Sequence, residues 1–182
     1  MRRRAVAGLF ISLISAGSML LAVPAQAAST SITQKDAKQV LQGVGEADVL
    51  GSRGAIRPLS GSPWDGAHFC AEDWHVVLFS WVEGGDASFT RKDAERIFSG
   101  ISLSFTLDGA ALPTTRTTIK RVEDPARFGA EEAWFFNQGR VMSPADLSVG
   151  QHELSVTIGT PSGTAEDGIT FFIDAAGTGV CV

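Results

Sequence analysis

The chain has 182 residues, 44% of them apolar, and its 15 basic and 20 acidic side chains leave a formal net charge of −5. An acidic chain without a basic block is poorly suited to nucleic acid, because neutralised phosphates supply most of that affinity. The length suits one domain with its own core, and nothing in the composition points to a collagenous, coiled-coil or low-complexity protein.

At the amino end three arginines precede the apolar run Ala5 to Val23, and Pro24 with Ala25-Gln26-Ala27 supplies a small-residue cleavage pattern. Residues 1–27 therefore read as a secretory signal peptide; the glycines and serines inside the run argue against a retained span. No cysteine follows the cleavage position and the carboxyl end is neither apolar nor basic, so no stable membrane anchor is expected after cleavage. Cleavage would leave 155 residues with 12 basic and 20 acidic side chains, a net charge of −8. The expected destination is secreted or periplasmic. In such an oxidising compartment Cys70 and Cys181 are expected to form a disulfide. That bridge closes a loop of over one hundred residues, worth about 4.7 kcal/mol in the chain-entropy model.

From 28 to 66 the chain is rich in Gly, Ser and Pro and reads as an irregular amino-terminal arm, in which Lys35 to Leu41 has room for one or two helical turns before the glycines at 43, 45, 51 and 54. Residues 67–182 read as a β-sandwich domain. Its first strand, Trp74 to Val82, is apolar on both faces, with Trp74, Val76 and Leu78 on one and Val77, Phe79 and Trp81 on the other, so both must be covered. The expected cover is the next segment, a short helix capped by Ser88 or Thr90, with Ala94, Ile97 and Phe98 as its stripe and Gly100 at its stop. "ISLSFTLDGAAL" then alternates with Ile101, Leu103, Phe105 and Leu107 inward, and Asp108-Gly109 forms a tight turn. Further strands are expected in "TTRTTIKRV", around Trp134 to Phe136, in "QHELSVTI" and in "GITFFIDA". Six or so strands with one short helix describe a mainly β, antiparallel sandwich.

The carboxyl half, from "GISLSFTLDG" to "ITFFID", resembles the immunoglobulin-like sandwiches common in bacterial secreted proteins. The resemblance rests on "MSPADLSVGQHELSVTI", in which Leu147, Gly150 and His152 introduce an alternating strand. It implies extracellular binding or spacing. The chain departs from the pattern in having no tyrosine for the usual corner and no matching inter-sheet cysteine pair.

The densest chemistry lies in "HFCAEDWH". His68, Glu72, Asp73 and His75 are the right residue types for a metal site. An extended chain, however, puts His68, Cys70 and Glu72 on one face and Asp73 and His75 on the other, which favours the foot of a disulfide-anchored strand. No serine-nucleophile, calcium-loop, phosphate-loop or dinucleotide motif is present, so neither catalytic residues nor a cofactor are assigned. His152, between Gln151 and Glu153, reads as a corner hydrogen-bonding residue. Trp64 and Trp134 are the aromatic candidates for a contact surface; of Trp134, Phe135 and Phe136 at least one must face away from the inner layer. The expected function is a secreted, non-enzymatic binding or structural module with an unidentified extracellular or envelope partner. The alternative is a small secreted metal-binding protein or hydrolase centred on His68, Glu72, Asp73 and His75.

Overall fold

The alternating segments become strands of two sheets in a computed structural model that describes residues 31–43 and 54–178. The expected signal peptide and Cys181 lie outside the described residues. In chain order the elements are α1 (Gln34–Leu41), β1 (Ala55–Ile56), β2 (His68–Cys70), β3 (His75–Gly85), α2 (Arg91–Phe98), β4 (Ser102–Leu107), β5 (Ala110–Leu112), β6 (Thr115–Arg116), β7 (Lys120–Arg121), a 3-10 turn (Pro125–Phe128), β8 (Glu132–Met142), β9 (Gly150–Thr160) and β10 (Gly163–Asp174). One sheet runs β1-β3-β8-β6, with β7 also on β8; the other runs β2-β10-β9-β4-β5. None of the described helices is long and apolar enough to cross a membrane.

The mainly β expectation holds, but the sheets are mixed rather than purely antiparallel. β1 pairs with β3 and β2 with β10, both in parallel. Turn signals announce hairpins, whereas each of these short strands reaches its sheet edge by a longer connection, which permits the parallel direction. The long pairs are antiparallel: β3 with β8 along all 11 residues of both strands, β9 with β10 as a hairpin, and β4 with β9.

Both sheets feed one core. Val77, Phe79 and Phe136 from the first meet Leu103, Phe105, Leu154, Val156, Ile169, Phe171 and Ile173 from the second. Phe98 enters from α2 and its ring meets Phe136 edge-on at 5.0 Å. Thr90 caps α2 by accepting from Asp93 N, and Asp93 accepts in return from Thr90 N, a reciprocal capping box. The three-residue stripe expected on α2 is narrower than foreseen: Ala94 and Phe98 are buried, but Ile97 is 39% exposed, because only the i, i+4 pair points squarely at the core.

The other face of β3 is covered from the opposite direction to that expected. Val40 and Leu41 of α1 pack with Ala55, Val76 and Leu78, so the cover is the amino-terminal segment and α2 serves the inner face. Within 28–66 the described part contains the helical turns expected near Lys35 to Leu41, begun by a Thr33–Asp36 capping box, and an edge strand. Gly139 on β8 permits this packing. A Cβ there would lie 2.1 Å from the Val77 carbonyl oxygen and 3.2 Å from Leu41 Cδ1, so only glycine lets β3 and α1 approach so closely.

Candidate functional site

"HFCAEDWH" is the crossing between the sheets. Residues 68–70 are β2, at the edge of the second sheet, and His75 already begins β3 in the first. His68, opposite Phe172, stacks on that ring at 4.8 Å, and its Nδ1 lies 2.8 Å from Asp174 Oδ2 on the open edge. His75 points inward, is 1% exposed, and places Nε2 3.0 Å from the Cys70 carbonyl. Burial pulls its pKa below the ordinary histidine value against the Cys70 carbonyl and the Asp73 charge, which raise it; the ring is held neutral, with Nε2 as donor. Asp73 accepts from Ile32 N at 2.8 Å and so anchors the chain ahead of α1. Glu72 sits in the turn, exposed. Two of the four candidates face different surroundings and a third is committed to backbone; among the described residues no group of three His, Cys, Asp or Glu side chains comes together in a metal-holding arrangement. Cys70 is not a free thiol, and the Cys181 expected to bond it lies outside the described residues.

His152 is the corner residue its position suggested. Its Nδ1 is 2.7 Å from Asp108 Oδ2 and its Nε2 2.7 Å from the Ser148 carbonyl. A carbonyl can only accept, so Nε2 donates; a proton on Nδ1 as well gives both contacts a donor. Burial would lower this pKa, but the Ser148 carbonyl and the Asp108 carboxylate together outweigh it and raise the value. Asp108 Oδ1 also accepts from Glu153 N at 2.9 Å, and Asp108 itself holds φ +52° in the β4–β5 turn.

A different place gathers a charge and an apolar space. Beside β3, a cavity of about 260 Å³ is lined by Arg57, Leu59, Trp64, Leu78, Phe79, Ser80, Val82, Val122, Phe128 and Phe135. Its walls follow from strand alternation. Phe135, the member of the Trp134-Phe135-Phe136 run that faces away from the main core, packs instead with Val122, Ala133, Val82 and Ala130, and its ring lies against Gly43 at the end of α1. Arg57 follows β1, whose residues stand opposite Val76 and Val77, so the pleat puts it on the face of Ala55.

Arg57 is 3% exposed. Its Nη1 donates to Ser80 Oγ at 3.2 Å; Ser80 Oγ donates to Asn137 Oδ1 at 2.7 Å; Asn137 Nδ2 donates to the Leu41 carbonyl at 3.0 Å, at the end of α1. The chain's single asparagine thus ties the helix to the arginine. Among the described residues, however, Arg57 Nε and Nη2 have no hydrogen-bond partner. Burial pulls the guanidinium down to about 10, still protonated at neutral pH. The indole of Trp64 lies over it, 5.3 Å from ring centroid to Cζ, giving partial compensation. The loop bearing Trp64 is fixed to β10 by Ser60 N donating to Asp167 Oδ1 and Thr170 N donating to Asp65 Oδ1, at 3.0 and 3.2 Å. Arg116 shows the contrast: its Nη1 and Nη2 donate to the carbonyls of Phe98, at the end of α2, and Ile101, and Nε to Gln138, so each nitrogen has a partner.

Of the two tryptophans read as contact candidates, Trp64 belongs to this cavity, while Trp134 packs on the main core with a buried Nε1 that has no partner among the described residues. The sequence reading missed Arg57. The available signal was "GAIRPL", a lone cation between apolar neighbours in a segment otherwise read as loose.

No family model and no curated protein matches the chain. Among solved structures one titled BspA_C_WT is similar, with 13% sequence identity and a TM-score of 0.35 over 61% of this chain. The alignment spans 45% of that structure's chain, and a likeness of this size carries nothing over to the present protein.

Proposed function

We propose that the protein is a secreted or periplasmic, non-enzymatic binding module whose ligand site is the cavity at Arg57. One observation carries this reading: an apolar cavity that holds a fully buried guanidinium with two idle donors. Buried polar groups in folded proteins are almost always paired, and an uncompensated buried cation costs several kcal/mol. The cost makes sense where a ligand completes the set. The lining side chains include no histidine and no carboxylate, so the cavity has the components of a receptor rather than those of an acid–base catalyst. The signal-like amino terminus supports export, and the consecutive antiparallel pairing of β4, β9 and β10 supports the immunoglobulin-like reading of the carboxyl half. A Cys70–Cys181 bridge would fasten the carboxyl end to β2 beside the crossing.

The test is a nitrogen–proton correlation spectrum of the labelled protein titrated with octan-1-ol, a neutral apolar probe. Saturable shifts confined to Leu59, Trp64, Leu78, Val82 and Phe135 are expected. Unchanged resonances in that set, or shifts scattered over the surface, would overturn the reading.

A further inference from the structure

We infer that the cavity selects a small monocarboxylate with an apolar body, its carboxylate held side-on by Arg57 Nε and Nη2. This inference rests on the binding reading above and adds the ligand's charge and size.

The two idle nitrogens are the significant pair. Nη1, on the Cδ side of the guanidinium, is occupied by Ser80. Nε and Nη2 lie together on the opposite edge and project parallel N–H bonds, the spacing that meets both oxygens of a carboxylate. Ser80, Asn137 and the Leu41 carbonyl fix the guanidinium from behind, so the fork is preorganised and little ordering cost remains for the ligand.

The remaining walls specify the body. Leu59, Leu78, Phe79, Val82, Val122, Phe128 and Phe135 offer only hydrocarbon, and a second charge on the ligand would be buried there unpaired. A cavity of about 150 Å³ takes a benzene ring, so about 260 Å³ has room for roughly ten non-hydrogen atoms on the same scale. Octanoate has that size. The Trp64 indole, stacked over the guanidinium, forms a wall of the same cavity, and its fluorescence should report entry.

The experiment compares octanoate with octan-1-ol by calorimetry and tryptophan fluorescence, using the wild-type protein, Arg57→Met and Trp64→Phe. Methionine keeps an apolar stem in the wall and removes the charge, so the variant should fold, which circular dichroism checks. Octanoate should bind the wild type at least tenfold more tightly than octanol. In Arg57→Met the preference should vanish or invert, and in Trp64→Phe most of the fluorescence response should be lost. Octanol binding with no octanoate preference in the wild type would overturn the carboxylate inference and leave the binding reading standing. Binding of neither would overturn both. Should Arg57→Met fail to fold, the wild-type ratio of the two probes still decides the matter.

Discussion

Replacing Asp108 by asparagine separates charge from geometry at the β4–β5 corner. Asn-Gly is at least as good as Asp-Gly in a turn with positive φ at both positions, and φ is +52° at Asp108 and +76° at Gly109. The asparagine oxygen can still accept from Glu153 N, so the backbone contact survives. What disappears is the negative partner of His152. With an amide in that place, its NH₂ donates to a neutral imidazole whose Nε2–H still donates to the Ser148 carbonyl. The native pair requires the charged ring for full satisfaction; the variant requires the neutral one. The folded pKa of His152 is raised, so its contribution to wild-type stability is complete below the unfolded value near 6.5 and is lost as pH rises through the folded value. A hydrogen bond to a charged group contributes about 1.5–3 kcal/mol. Asp108 is 49% exposed, and solvent screening reduces the expected difference to about 1 kcal/mol. Urea unfolding of both proteins from pH 5 to 9 measures it. The wild type should be the more stable at pH 5.5, and the gap should close or reverse by pH 8.5. His75, whose folded pKa is lowered, contributes the opposite slope, stability lost as pH falls below about 6.5, but equally in both proteins, so it cancels in the difference. A gap that stays constant with pH would refute the assignment of a charged His152 to this corner.

Two further substitutions probe the support of the cavity. Gly139→Ala places a methyl group 2.1 Å from the Val77 carbonyl oxygen, which neither strand can yield without breaking the β3–β8 ladder; destabilisation above about 3 kcal/mol is expected, seen as loss of soluble product or a much lower denaturation midpoint. Asn137→Ala strands Ser80 and the Leu41 carbonyl, both dependent on it within the sheet–helix seam. The expected cost is about 2 kcal/mol, and hydrogen exchange should show α1 opening faster than β9, which makes no contact with the asparagine's bonds.

The strands of the carboxyl half were legible because alternation and turn chemistry are local properties: Leu154, Val156 and Ile169 announce their burial within a few residues. The double-faced character of β3 was also legible, but not which element covers which face. That depends on a helix some 35 residues upstream, whose apolar content is only Ala37, Val40 and Leu41. The parallel edge strands β1 and β2 are two and three residues long, too short for any periodic signal. The histidine cluster illustrates the opposite error. Eight adjacent residues looked like one chemical unit, yet the chain changes sheets within them and sends His68 and His75 to separate environments. Arg57 was hidden for a related reason: a single cation carries no spacing pattern, and its significance comes from Ser80 and Trp64, which lie elsewhere in the chain.

The two sheets interleave along the sequence, and this bears on how the molecule can be made. β2 finds its neighbour β10 about a hundred residues later, while α1 rests on β8, equally far downstream. A ribosome delivering the chain from its amino end therefore supplies the first half of these contacts long before the second. Until β10 emerges, the second sheet lacks the strand that joins β2 to β9. Contacts this distant in sequence slow folding, so a nascent chain remains open through most of its synthesis. A polypeptide in that condition is the kind that can pass through a narrow channel and acquire its shape on the far side.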